Sequence, residues 1–367
     1  MKKVVIFFIA SFLGSLAGTI IRVETAIYTQ QIKESFLLLA FFTIAFMLGR
    51  GLASILSGRI FDISSDKARK LTIISFISLS LTSLLYMIPD VNLYIFLRLL
   101  MGFFSGLSWP IVQSMLLSIS EENVKSRNMN IYFISGSIGM TLAYVTIGFV
   151  SGWVNILIGS FFFALTALII STMRAEIHVP RTSGKPTHEF IIFAVSLGFM
   201  QVILSSDILV GIIFLKGFNR TILVIILSVF SIASIALSPI ISIIIAYISD
   251  IRKIEIGIVV SVIAYITALI TLLLTINVVL IILSLIVIRA CIMAYRSVIT
   301  ASAKSRGIGL KIGIINSVSN ISVAVSSAIL GVMLGASIIL PLAIISSIII
   351  VPAIISLREL SRKLEFS

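Results

Sequence analysis

The sequence predicts an all-α membrane protein with twelve transmembrane helices in two halves of six. Three observations lead to this fold class: the composition, the number of long apolar runs, and one polar linker near the middle of the chain. Of the 367 residues, 59% are hydrophobic and only 11% are charged. A soluble domain cannot bury that much apolar surface, because its outer layer has to be polar, whereas a lipid bilayer accommodates it.

Apolar runs of roughly the 18 to 25 residues that cross a bilayer recur twelve times along the chain. Those of the first half are Val4–Tyr28, Ser35–Ser57, Leu71–Ile88, Leu93–Ile119, Asn128–Val150 and Val154–Met173. Those of the second half are Phe190–Leu215, Thr221–Ile248, Ile256–Thr275, Val278–Ala301, Ile312–Leu334 and Ser337–Leu357. The first run also has the look of a signal peptide, but so many spans follow it that we interpret it as a retained helix.

One polar stretch, RAEIHVPRTSGKPTHE, separates the two halves. Its proline, glycine and charged residues cannot continue a buried helix. We therefore predict an N-terminal bundle at 1–173, a cytoplasmic linker at 174–189 and a C-terminal bundle at 190–367. The sequence GRIFDI at 58–63 ends the second span much as AYISDI at 246–251 ends the eighth. Two related halves of six helices are typical of transporters.

Lysine and arginine residues between the spans predict the orientation. Most of them fall on one side of the membrane, and only Lys33, Lys216 and Arg220 fall in loops on the other side. The positive-inside rule then predicts a multi-pass protein of the cell membrane with both termini in the cytoplasm. The formal net charge of +13 follows from this topology. Because no soluble basic patch exists, we expect no nucleic-acid partner.

Charged side chains within the spans are candidates for function, because each costs a few kcal/mol in lipid. We predict that six of them, on spans one, four, seven and ten, bind substrate or couple its transport: Arg22, Glu24, Arg98, Asp207, Arg289 and Arg296. Asp207 is the expected counter-charge of Arg289, and a change of partner there would let the carboxylate take up a proton. Arg22 and Glu24, near a helix end, also fit a structural ion pair or snorkelling side chains. Arg50, on span two, is expected to brace the following loop.

The loop after the second span carries a recognisable motif. It reads Gly58-Arg59-Ile60-Phe61-Asp62 and continues to Arg69-Lys70. This pattern resembles the signature between helices 2 and 3 of the major facilitator superfamily. Asp250-Ile251-Arg252-Lys253 is similar to the weaker copy of that signature, and Arg98-x-x-x-Gly102 is similar to the family's fourth-helix motif.

The fifth span adds a glycine pattern, which we expect to serve helix packing. Gly139, Gly148 and Gly152 have the spacing of the family's antiporter motif, although Trp153 stands where that motif continues with proline. The resemblance implies two bundles related by pseudo-two-fold symmetry around a central cavity lined by helices 1, 4, 7 and 10. Those are the helices on which most of the buried charges lie.

We also predict a gate at the cytoplasmic ends of the helices. Its candidate residues are Gly58, Asp62, Arg69, Arg127, Asp250, Arg252 and Arg306. When these ends close, Asp62 is expected to hold an arginine or a helix N-terminus of the other half. Arg127 and Arg306, at matching helix starts, are candidate partners.

The function expected from these features is secondary active transport of a small solute by alternating access. Because arginines outnumber acids in the predicted cavity, we expect an organic anion, with the proton as coupling ion. A proton-driven exporter of lipophilic cations, with Glu24 or Asp207 as binding group, is the alternative transporter. From other classes, a membrane subunit, receptor or scaffold would share the same helices. Both histidines lie in the linker and no metalloprotease or P-loop motif occurs, so we expect no enzyme, no cofactor and no metal, and a monomer in the bilayer.

Overall fold

The structure is a computed structural model that describes residues 2–33, 35–120, 125–172, 188–252, 254–302, 308–333 and 339–365. These residues form helices joined by short connections. The first half contains α1 (Lys2–Lys33), α2 (Phe36–Ile63), α3 (Ser65–Leu84) with a 3-10 turn at Leu85–Met87, α4 (Val91–Ile119), α5 (Lys125–Phe149) and α6 (Trp153–Ser171). The second half contains α7 (His188–Gln201), a 3-10 turn at Val202–Leu204, α8 (Ser206–Leu215), α9 (Arg220–Arg252), α10 (Ile254–Leu274), α11 (Val278–Ser302), α12 (Ile308–Met333) and α13 (Ile339–Glu365).

The described helices account for every predicted span. Nine of them are long and apolar enough to cross a bilayer, and α7 with α8 make a tenth span that is bent by 50°. The described apolar stretches of α10 and α13, Ile258–Leu274 and Leu340–Ile355, are shorter. Residues 173–187, most of the predicted linker, lie outside the described part of the chain, and α7 begins at His188.

The seventh span differs from the unbroken helix that the sequence predicted at Phe190–Leu215. The chain passes through the 3-10 turn and then through Ser205, whose ψ of 127° is extended, before α8 starts at Ser206. The two pieces also have different neighbours. α7 packs against α11, α12 and α13, whereas α8 packs mainly against α1 and α2 of the first half.

Helices of the first half approach closely where a glycine faces a neighbouring backbone. Gly102 of α4 lies against the carbonyl group of Phe46 on α2, so that a side chain there would collide with backbone. In the same way Gly139 of α5 lies against the backbone of Phe12 on α1. Such contacts between small residues are how membrane helices pack without a hydrophobic driving force.

The two halves touch along α2 and α12, along α5 and α9, and where α8 meets α1 and α2. We call the end of the molecule that carries Lys67, Arg69 and Lys70 the basic face, and the end that carries Lys216 and Arg220 the opposite face. Contacts between the halves are present at both faces. The polar residues described next therefore lie in a closed interior.

Candidate functional site

A buried ion pair joins the two halves in the middle of the molecule. Arg98 of α4 donates from Nη2 to Oδ1 of Asp207 on α8, at 2.7 Å, and both side chains are almost fully buried. The same nitrogen also donates to Thr25 Oγ1 and to the carbonyl oxygen of Arg22, each at 2.8 Å. Thr43 of α2 donates to the other carboxylate oxygen of Asp207 at 3.2 Å. The pair thus connects helices of both halves.

The remainder of the Arg98 guanidinium is held by aromatic rings. It lies 5.4 Å from the ring centroid of Phe42 and 5.7 Å from that of Tyr86. Its Nε and Nη1 atoms are buried and have no hydrogen-bond partner among the described residues. A buried N–H without an acceptor is costly, so this arginine retains two donor atoms that a ligand could satisfy.

Asp207 owes its position to the broken seventh span. It is the second residue of α8, so its carboxylate lies in the first turn of that helix, where the helix dipole favours negative charge. The predicted ion pair between Asp207 and Arg289 is absent from this state, in which Asp207 binds Arg98 instead. The sequence could not distinguish the arginines, because the bend at Ser205 decides which one the carboxylate faces.

Arg22 lies beside this pair. Its Nε donates to the carbonyl oxygen of Gly18, one turn earlier on α1, at 3.0 Å. Its guanidinium lies 5.1 Å from the ring centroid of Phe46. It is also close enough to Asp207 and Arg98 to interact with both electrostatically.

Arg50 extends the row of arginines toward the basic face. It lies within electrostatic range of both Arg22 and Arg296, and its Nε is buried without a hydrogen-bond partner among the described residues. The Arg296 guanidinium, on α11, lies 4.3 Å from the ring centroid of Phe133 on α5. We call Arg98, Arg22, Arg50 and Arg296 the arginine ladder. The expectation that Arg50 braces the loop after α2 stays a prediction.

Arg289 of α11 lies against α9. Its guanidinium is 5.6 Å from the ring centroid of Phe230 on α9. Together with Ser137 and Ser234 it lines a void of about 10 Å³, which has room for about one water molecule. The Ser234 hydroxyl is buried and has no hydrogen-bond partner among the described residues.

Glu24 forms a second link between the halves, near the opposite face. Its carboxylate accepts from the backbone N–H of Gly152 at 2.8 Å and from Asn155 Nδ2 at 2.9 Å. Arg220, at the start of α9, donates to it from Nη2 at 3.1 Å. Arg22 and Glu24 thus take different directions, as expected for residues two positions apart on a helix. The sequence analysis placed Arg220 in a loop and assigned it no partner, because nothing in the sequence indicated its contact with Glu24.

The signature loop after α2 joins the halves at the basic face. Asp62 Oδ2 accepts from the backbone N–H of Leu310, in the first turn of α12, at 2.9 Å. Gly313 of α12 approaches α2 most closely at the Ser54 carbonyl group, and Gly58 is the next residue of α2 that a side chain at Gly313 would meet. Arg69 donates to Asp66 Oδ1 and to the carbonyl oxygen of Ser171, both at 3.4 Å.

Other predicted gate residues fall outside what the structure describes. This applies to the side chains of Arg127, Asp250 and Arg252, and to the whole of Arg306.

The three glycines of the fifth span have different surroundings. Gly139 lies against the α1 backbone, and Gly148 faces Val224 of α9. Gly152 does not have the packing role predicted for it, because no atom lies within 4 Å of where its side chain would be. It caps α6 with a φ of 68°, and its N–H binds Glu24. Glycine adopts such a positive φ without steric cost.

Comparisons with known proteins agree on the fold. Residues 7–327 match the model of the Major Facilitator Superfamily. The structure is similar to that of the nucleoside transporter NupG, with a TM-score of 0.70 and 15% identity, over 98% of this chain and 99% of that one. It is also similar to the human organic anion transporter MFSD10 (TETRAN), with a TM-score of 0.71 and 13% identity, over 97% of this chain and 99% of that one. No curated protein sequence matches this chain.

The family model covers most of the chain, including the signature loop at Gly58 and Asp62 and the buried pair of Arg98 and Asp207. Identities as low as those to NupG and MFSD10 establish the fold and leave the substrate open. The fold and the family are those of a multi-pass membrane protein that carries small molecules as a secondary transporter. This chain belongs to the Major Facilitator Superfamily.

Proposed function

We propose that this transporter moves a small organic anion across the cell membrane by alternating access and couples that movement to protons. The observation that supports it best is the charge of the closed interior. Five arginines lie there: Arg22, Arg50, Arg98, Arg289 and Arg296. The negative charge that offsets them comes from Asp207, which binds Arg98. Glu24 is bound instead to Arg220, Gly152 and Asn155. An excess of positive charge in the interior favours an anionic ligand.

Proton coupling follows from the contact between Arg98 and Asp207. An anion that binds the unused N–H groups of Arg98 competes with Asp207 for the same guanidinium. Once Asp207 loses its partner, burial favours its neutral form, and it takes up a proton. Binding of the anion and of the proton are then linked through one arginine.

The contacts at the two faces suit alternating access. Asp62 with Leu310 would close the basic face, which we place in the cytoplasm together with both termini, and Glu24 with Arg220 would close the opposite face. The protein would act as a monomer. Its two bundles, residues 1–173 and 190–367, would move relative to each other about the linker. Gly58, Arg69, Arg127, Asp250, Arg252 and Arg306 remain the further proposed gate residues.

Export of lipophilic cations is disfavoured by the same contacts. A cation exporter needs an acid that is free to bind the drug. Glu24 accepts three hydrogen-bond donors, and Asp207 is bound to Arg98 and Thr43. The name of MFSD10, an organic anion transporter, agrees with the anionic reading.

Purified protein in proteoliposomes tests this proposal. Uptake of labelled mono- and dicarboxylates is compared with uptake of tetraphenylphosphonium, with and without an imposed pH gradient. We expect the gradient to accelerate carboxylate uptake, and the Asp207→Asn variant to lose that acceleration. Movement of the cation alone, in excess of its passive movement into protein-free liposomes, would refute the anionic substrate. Carboxylate uptake that does not respond to the gradient would refute the coupling.

A further inference from the structure

The void beside Arg289 lies where the two halves meet. Three helices line it: α5 of the first half with Ile134 and Ser137, and α9 and α11 of the second half with Ser234, Ile235, Arg289 and Met293. A space of about 10 Å³ suits one compact ligand rather than a molecule with a carbon skeleton. Met293 is an unbranched, half-buried side chain that can shift to admit an ion somewhat larger than water.

Arg289 brings a positive charge to this space. Its side chain is 8% exposed, and it makes no hydrogen bond or ion pair with any residue that the structure describes. Its described neighbours are the ring of Phe230 and, within electrostatic range, Tyr144. Arginine keeps its proton in proteins, and a buried charge is normally paired. The described residues do not supply the counter-charge.

Ser234 adds a neutral hydrogen-bonding group to the same space. It is 2% exposed, and its hydroxyl has no partner in the described part of the chain. A guanidinium only donates hydrogen bonds, and a hydroxyl has one proton to donate. A ligand that accepts from both groups would satisfy them together. A water molecule could accept these hydrogen bonds, but it would leave the charge of Arg289 without compensation.

We infer that Arg289 and Ser234 bind a small inorganic anion, such as chloride, at the contact between the two halves. The site is distinct from the arginine ladder, since none of the four ladder arginines lines the void. Because α5 belongs to one half and α9 and α11 to the other, an ion held there stabilises the state in which these helices touch. The inference goes beyond the proposed function, because this ion is a second ligand and not the transported organic anion.

Thermal denaturation of the purified protein in detergent tests the inference without a transport assay. Chloride replaces gluconate at constant ionic strength, so that screening of surface charges stays the same. Gluconate is too large for the void. We expect the melting temperature to rise with the chloride concentration and then to saturate, as it does when a ligand binds only the folded state. A melting temperature that does not depend on chloride would overturn the inference.

Substitutions on α9 and α11 locate the ion. Ser234→Ala should raise the half-maximal chloride concentration about tenfold, because one hydrogen bond to a charged ligand is lost. Ser231→Ala is the matched control: Ser231 lies one turn earlier on α9 and also has a buried hydroxyl without a partner among the described residues, but it does not line the void. Its chloride response should equal that of the wild type, and Arg289→Gln should lose the saturable response.

The two serine variants decide the outcome even if Arg289→Gln fails to fold. Equal chloride responses of Ser234→Ala and Ser231→Ala would place any bound ion elsewhere, for example at Arg98, and would overturn this site. None of these measurements involves carboxylate uptake, so a negative result here leaves the proposed transport of organic anions standing.

Discussion

Asp62 Oδ2 accepts a hydrogen bond from the backbone N–H of Leu310 at 2.9 Å, so the signature loop of the first half holds the N-terminus of a helix from the second. The contact combines a hydrogen bond with the favourable position of a carboxylate at a helix N-terminus. It lies at the basic face, remote from Arg98 and Asp207.

The first prediction concerns this contact. Asp62→Asn removes the negative charge and should shift the balance toward opening at the basic face by about 1 kcal/mol, roughly fivefold. Ser57→Cys, buried in this state, reports the opening through its alkylation rate in a protein whose Cys291 is replaced by serine. Asp66→Asn is the control, because Asp66 pairs with Arg69 and Lys70 on its own helix. Equal labelling rates in Asp62→Asn and in the control would mean that the contact does not hold the basic face closed and that the motif is only a solvent-exposed turn.

The second prediction concerns the opposite face. Arg220→Gln should favour opening there by up to about 1 kcal/mol, a modest effect because Arg220 is partly exposed. Glu24 keeps its bonds to Gly152 and Asn155, so the fold should survive. Alkylation of Thr29→Cys, buried in this state, measures the change. Lys216→Gln is the control, since Lys216 donates to the carbonyl oxygens of Leu273 and Thr275, both in its own half. If both variants label alike, the ion pair does not act as a latch.

The third prediction concerns the central ion pair. Arg98→Gln strands a buried carboxylate and should lower the free energy of unfolding by about 3 to 5 kcal/mol. The double variant Arg98→Gln/Asp207→Asn should recover much of that loss, as measured by thermal denaturation in detergent. Adding Arg289→Gln to Asp207→Asn should not restore stability in this way, because Arg289 and Asp207 do not pair in this state. Rescue by Arg289→Gln instead would show that another state dominates.

The fourth prediction concerns helix packing. Gly102→Ala places a methyl group against the Phe46 carbonyl and should destabilise the protein by about 1 to 3 kcal/mol, since backbone cannot move aside cheaply. Gly18→Ala is the matched control, because its methyl group would meet only Phe163 Cζ, at 3.5 Å. Similar melting temperatures for the two variants would contradict the close approach of α2 and α4.

Sequence reasoning identified the spans because hydrophobic length is a local property. It also singled out Arg98 and Asp207, because a charge in lipid is conspicuous on its own. The sequence did not show which residues these two side chains contact. Asp207 meets Arg98 because the seventh span bends, and Val202–Leu204 contains neither proline nor glycine to announce the bend. The run Ser205-Ser206-Asp207, typical of a helix start, is the signal that was overlooked.

One further contact was missed for a related reason. Arg220 was assigned to a loop without a partner, because position along the chain does not show which residues of the other half lie close to it. Contacts between halves depend on the packing angle of entire bundles, which no local pattern encodes. Asp62 is the exception: an arginine or a helix N-terminus of the other half was expected as its partner, and it binds the N-terminus of α12.

The break before α8 bears on which parts of the protein move together. α8 belongs to the second half by sequence, yet its principal neighbours are α1 and α2 of the first. Gly211 of α8 sits directly against Phe36 and Leu39. When the opposite face opens, either α8 is peeled away from these helices or it travels with them while the chain flexes at Ser205. In the second case the boundary between the two moving bodies lies inside the seventh span. Asp207 then moves together with the first half and keeps its contact with Arg98.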